Sequence, residues 1–117
     1  MKLEHLSLNV EEPQKLIDWW CANLGFRQTH PIFMVDDSGK VAIEVYRNDA
    51  APFTKVEPLT LHIAVLSDDV EADRARLEKA GAVTLETVHK EGFDMAMMRD
   101  PFGVHIQFVK RGKSILL

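Results

Sequence analysis

Two stretches of this 117-residue chain repeat one another, and no other feature restricts the fold as tightly. His5 opens an alternating segment and Gly25 ends the segment after it, 20 residues on; His62 and Gly81 stand in the same relation at 19 residues, with the histidines 57 apart. In Leu3–Val10, Leu6, Leu8 and Val10 alternate with His5, Ser7 and Asn9, the period of a half-buried strand. Pro13 suits the first turn of a helix, where its missing N–H costs nothing. Leu16, Ile17, Trp19, Trp20 and Leu24 then form a helical apolar stripe that Gly25 stops. Three short strands follow, at Phe26–Thr29, Pro31–Val35 and, after the turn Asp36-Asp37-Ser38-Gly39, Val41–Tyr46.

The second copy keeps this order. Thr60–Leu66 alternates like Leu3–Val10. A helix follows, with Asp68 as the expected N-cap, Glu71 as its capping-box partner and Gly81 as its stop. Strands are predicted at Ala82–Val88, Phe93–Arg99 and Val104–Lys110, the last entered through the turn Asp100-Pro101-Phe102-Gly103. From Gly81 to Gln107 is 26 residues against 19 from Gly25 to Glu44, so the added length belongs to the later strands and turns of the second copy. The expectation is an α+β chain of two β-α-β-β-β modules whose mixed sheets curl around a shared cleft. Residues 1–117 make one domain, with module one at about 1–50, a Pro-containing linker at about 47–58 and module two at about 59–110.

Composition narrows the function classes. A net charge of -4 lacks the basic excess that phosphate recognition needs, so nucleic acid is not expected as a partner. Cys21 is the single cysteine, which rules out an internal disulfide and fits a reducing compartment. The N-terminus lacks the apolar core of a signal peptide, and no apolar run reaches the ~18 residues of a membrane span. A soluble cytoplasmic protein with no membrane partner is expected.

Four positions stand out. His5 and His62 occupy matching places in the first strands, Glu44 and Gln107 in the last, each a polar residue on a strand whose other face is apolar. Imidazole, carboxylate and amide oxygen are donors that Zn, Ni, Mn, Fe or Co accept, and the lack of thiolate favours an open, catalytic type of site over a closed structural one. Such a divalent metal polarises a carbonyl. His105 shares a face with Gln107, and Tyr46 with Glu44. Met95 and Met97 share a face as well, where core filling is favoured over lining an adaptable pocket. Trp19 and Trp20 are expected in the core. Cys21 has no neighbouring base to make it a nucleophile. The tail Lys110–Leu117 is basic, then apolar, and either frays or packs on a neighbouring subunit.

The segments Leu3-Glu4-His5-Leu6-Ser7-Leu8-Asn9-Val10, Asn23-Leu24-Gly25-Phe26 and Arg99-Asp100-Pro101-Phe102-Gly103, the last followed by Ile106-Gln107-Phe108, together resemble the vicinal oxygen chelate superfamily. That superfamily includes glyoxalase I, extradiol dioxygenases, methylmalonyl-CoA epimerase, fosfomycin-resistance enzymes and bleomycin-binding proteins. The resemblance covers nearly the whole chain and implies metal ligands at His5, Glu44, His62 and Gln107, a small-molecule substrate and a homodimer. It also exposes departures. The family usually has glutamate at the place of Gln107, and in glyoxalase I that carboxylate moves the substrate proton; an amide does not. Asn9 stands where glyoxalase typically carries an arginine, and Gln107 departs from the two-histidine, one-carboxylate set of iron dioxygenases. The resemblance therefore implies a glyoxalase-like divalent-metal lyase or isomerase with Glu44 as the candidate base. The alternative is a metal-free, bleomycin-resistance-like protein that sequesters a small ligand.

Overall fold

The computed structural model describes residues 1–50 and 57–116; of the expected linker at 47–58, positions 51–56 lie outside the described residues. The chain divides into two compact units, Met1–Thr54 and Lys55–Leu117.

In the first unit, β1 (His5–Asn9), α1 (Pro13–Leu24), β2 (Arg27–His30), β3 (Phe33–Val35) and β4 (Ala42–Tyr46) form the expected order. The sheet runs β1-β4-β3-β2, with β1 parallel to β4 and the other pairs antiparallel. Helix α1 begins at Pro13 without a side-chain cap and ends at Gly25, whose φ of 72° suits a residue without Cβ. Its attachment comes from burial: Leu16, Ile17 and Trp20 are fully enclosed, and the Trp20 and Phe26 rings meet edge-on at 5.1 Å. Trp19, expected in the core, is half-buried. It lies one position, about 100°, around the helix from Trp20, beside the buried stripe rather than within it. Ile43, Val45 and Met34 supply the sheet's buried face.

The second unit contains β5 (Ile63–Leu66), α2 (Val70–Lys79), β6 (Val83–Lys90), β7 (Phe93–Arg99) and β8 (His105–Arg111), in the sheet order β5-β8-β7-β6. The length excess resides in β6 and β7, of 8 and 7 residues, against 4 and 3 in their counterparts β2 and β3. The α2 cap is Asp69, not Asp68. Asp69 has the extended backbone of an N-cap and accepts from the Ala72 N–H at 3.0 Å, whereas the Asp68 carbonyl accepts from Lys110 Nζ. Arg74 then ties Glu71 and Glu78 together along one helix face, at 2.8 and 2.7 Å, and reaches Thr84 of β6. That pairing lowers the Glu71 carboxyl below its ordinary value, mainly through the Arg74 hydrogen bond, and holds the guanidinium charged.

Strand β8 is anchored by its entry turn. Asp100, buried at 3%, accepts from the N–H groups of Phe102 and Val104 at 2.8 Å, and its own N–H donates to the Val104 carbonyl. Pro101 lies against Gly81, where an added Cβ would approach it to 3.4 Å, so the helix stop and the strand turn pack together. No helix among the described residues is long and apolar enough to cross a membrane.

Candidate functional site

Strand register decides which side chains share a surface. In the first sheet, Ser7 pairs with Glu44, Phe33 with Glu44, His5 with Ala42 and Asn9 with Tyr46. His5, Ser7, Asn9, Glu44, Tyr46 and Phe33 therefore lie on one face, opposite the Leu6, Ile43, Val45 and Met34 side. The Ser7 hydroxyl donates to Glu44 Oε1 at 3.0 Å, which fixes the carboxylate and leaves Oε2 without that bond. His5 Nδ1 lies 2.8 Å from Glu4 Oε1, and its ring meets Phe33 edge-on at 6.0 Å. A carboxylate oxygen only accepts, so Nδ1 carries the hydrogen and Nε2 of the neutral ring keeps its lone pair.

His30 joins this face although period-2 counting along β2 places it opposite. A bulge between Gln28 and His30 shifts the register, so that Gln28 pairs with buried Met34 while His30 pairs with Phe33, edge-on at 6.4 Å. The sequence alone does not mark Glu4, Ser7 or His30 as site residues. For His30 the four-residue strand Arg27-Gln28-Thr29-His30 carries no pattern that reveals a bulge.

The second sheet repeats the geometry with different chemistry. Ala64 pairs with Gln107, as Ser7 does with Glu44. Ile63 pairs with Ile106 where the strand begins, and His62, just before it, acts electrostatically on His105. Met97 flanks Gln107 on the other side, and Arg99 flanks His105. His62 precedes β5 rather than lying within the strand expected at Thr60–Leu66. Its Nδ1 sits 2.7 Å from the Pro58 carbonyl, which forces the same tautomer as in His5. His105 is buried, and its ring is pushed below the ordinary histidine value by burial first and then by Arg99, with His62 adding to the effect and Glu57 and Asp100 opposing it. Met95, Met97 and Met98 are all buried, in keeping with core filling.

The first sheet thus brings His5 and Glu44 onto one face, while in the second Gln107 lies on β8 and His62 immediately precedes β5. Among the described residues no group of three His, Cys, Asp or Glu side chains is placed to hold an ion. The donor chemistry does fit a metal. Both histidines have Nδ1 bonded to an oxygen acceptor, the arrangement that orients a ligating Nε2. One further feature lies on the same face of the second sheet. Ala64, Leu66, Val109 and Arg111 line a cavity of about 340 Å³ completed by Ser114, Ile115 and Leu116 of the tail.

The fold is shared with solved structures at low sequence identity. TnmS3, an antibiotic binding protein from Streptomyces sp. CB03234, matches with a TM-score of 0.71 and 20% identity, over 96% of this chain and 97% of that one. A glyoxalase family protein from Bacillus cereus matches at 0.76 and 16%, over 95% and 94%. A glyoxalase/bleomycin resistance protein/dioxygenase family enzyme from Burkholderia phytofirmans PsJN matches at 0.75 and 15%, over 93% and 98%. No curated relative matches the chain. The family profile described as Glyoxalase/Bleomycin resistance protein/Dioxygenase superfamily matches residues 2–108. This protein, with its paired β-α-β-β-β modules, belongs to the glyoxalase/bleomycin resistance protein/dioxygenase superfamily.

Proposed function

We propose that the protein is a glyoxalase-like lyase or isomerase acting on a small oxygenated molecule with a divalent ion, with His5, Glu44, His62 and Gln107 as the donor set. The observation that carries this reading is the matched tautomer of the two histidines. Glu4 and the Pro58 carbonyl each hold an Nδ1–H, leaving both Nε2 atoms as donors. The ion supplies polarisation of a substrate carbonyl. The chain supplies the rest. Glu44 is the one carboxylate of the set and hence the group to accept a proton, with the Ser7 hydroxyl holding Oε1 and fixing the direction of Oε2. Gln107 orients through its amide but transfers no proton. The protein acts as a cytoplasmic homodimer on this reading, with module boundaries near residues 50 and 59.

Elemental analysis of protein purified without chelator tests it. Near one equivalent of Ni, Zn, Mn, Co or Fe is expected in the wild type, with loss in both His5→Ala and His62→Ala; retained metal in both variants overturns the donor set.

A second reading is metal-free sequestration of a small ligand. It is favoured by the apolar surroundings of Gln107, which Ala64 and Met97 flank where Ser7 and Phe33 flank Glu44. The same fold serves TnmS3, an antibiotic binding protein. Thermal stabilisation by drug-like ligands, with none by added Ni, Zn or Mn, selects this reading, because a compound that binds the native state raises its stability.

A further inference from the structure

The face of the second sheet that carries Gln107 changes character along β8. Two residues beyond Gln107, Val109 pairs with Met95 on one side and with Leu66 on the other; two residues further, Arg111 pairs with Phe93, which pairs in turn with Lys90. The strands thus present an apolar strip and then a cationic row. Arg111 and Lys90 stand 5.1 and 5.7 Å from the same Phe93 ring. No carboxylate among the described residues forms an ion pair with either cation. Arg111 lines both the 340 Å³ apolar cavity, with Ala64, Leu66, Val109 and Ile115, and a second cavity of about 580 Å³ whose lining includes Lys90, Phe93 and Lys110 together with the carboxylates Glu91 and Asp94, with Asp94 bonded to His89 and Lys110 to the Asp68 carbonyl. The smaller volume lies within the ~300–1,000 Å³ of ordinary small-molecule sites.

We infer that these two cavities form a binding site for an amphipathic anion, whose short apolar chain lies on Leu66, Val109 and Ile115 and whose carboxylate or phosphate is taken by Arg111 with Lys90. Two cations without an ion-pair partner among the described residues, beside an apolar cavity, complement such a molecule. A neutral apolar ligand leaves the cations unused, and a cationic one is repelled. All the residues belong to the second half, so the site does not depend on the metal reading. A span of four residues separates Gln107 from Arg111, about 13 Å along the strand. A ligand held by Arg111 therefore extends toward Gln107 without having to reach it.

Calorimetric titration of chelator-treated protein with octanoate, octyl phosphate, octanol and octylammonium tests the inference independently of any ion. Octanoate or octyl phosphate is expected to bind, and the stronger of the two names the head group; octanol should bind about tenfold more weakly and octylammonium not at all. Arg111→Gln should weaken the anion about tenfold and Arg111→Lys less, because charge survives without the fork. Leu66→Gln should weaken octanoate and octanol alike. Circular dichroism of each variant confirms that the second sheet is intact; Arg111 is exposed at the end of its strand, so the substitution leaves no buried gap. Equal affinity for octanoate and octanol, unchanged affinity in Arg111→Gln, or absence of binding by both anions overturns the site. So does sedimentation showing that Leu66→Gln converts a dimer to a monomer while neither anion binds, since the patch is then a self-association surface.

Discussion

The two halves share one strand plan and differ in what they place on it. In the first, the face around Glu44 is polar: Ser7 bonds the carboxylate, and Asn9, Tyr46 and two histidines share the surface. In the second, the equivalent of Ser7 is Ala64, of Asn9 Leu66, of Tyr46 Val109 and of Glu44 Gln107. The histidine at the head of the row survives in both, with its tautomer fixed in both. What the duplication retains is thus a pair of histidines with Nδ1 bonded to an oxygen, while the carboxylate persists in one copy and an apolar strip replaces its surroundings in the other. The helices diverge in parallel. Helix α1 relies on the burial of Leu16, Ile17 and Trp20 and has no side-chain cap, whereas α2 buries Val70 and Leu77 and adds the Asp69 cap and the Arg74 bridges.

The histidine equivalence breaks first if it is wrong. His5→Ala and His62→Ala should each reduce bound metal to background in elemental analysis, and a large loss from one variant with none from the other denies that the two positions are matched donors. The helix contrast comes next. Trp20→Ala should destabilise the fold by ~3–5 kcal/mol, since it opens a cavity under α1 beside Phe26; denaturant titration measures it, and a loss near that of a surface substitution contradicts the burial account. Glu4→Ala removes the acceptor on His5 Nδ1 and should weaken metal binding by ~10–100-fold in a competition titration. Pro58 acts through its backbone carbonyl, so substituting its side chain with Ala should change affinity far less. Asp69→Ala should cost about 1 kcal/mol through the lost cap, with no counterpart effect from Glu12→Ala at the head of α1.

The smallest effect concerns pH. The folded-state value of His105 lies below its unfolded value, so the unfolded chain binds the proton more readily. Its contribution to stability is complete above the ordinary histidine value of ~6.5 and declines as pH falls below it. The melting temperature of the wild type should therefore drop more between neutral and mildly acidic pH than that of His105→Gln, and equal drops remove His105 as a cause.

Much of this contrast is legible before folding, because alternation in Leu3–Val10 and Thr60–Leu66, the stops at Gly25 and Gly81 and the turn at Asp100-Pro101 are local signals. What escapes is decided across strands. Ser67-Asp68-Asp69 offers three successive residues capable of capping, and the choice of Asp69 follows from Ser67: its hydroxyl accepts from the Asp69 N–H and donates to Asp73. The bulge that turns His30 toward Phe33 depends on how β3 pairs, which the residues of β2 do not encode alone. Glu4 is an ordinary exposed glutamate until the fold sets it against His5 Nδ1. The role of the tail as a wall of an apolar cavity likewise depends on Leu66, about fifty positions away in the chain.

The proposed function turns on His5 and His62 each donating through Nε2 to a divalent ion. Long-range nitrogen–proton NMR of the imidazoles during a zinc titration tests it directly. The account predicts that Nε2 of both His5 and His62 shifts together and saturates at one equivalent while both Nδ1 atoms stay protonated; a shift confined to one histidine, or to neither, contradicts it.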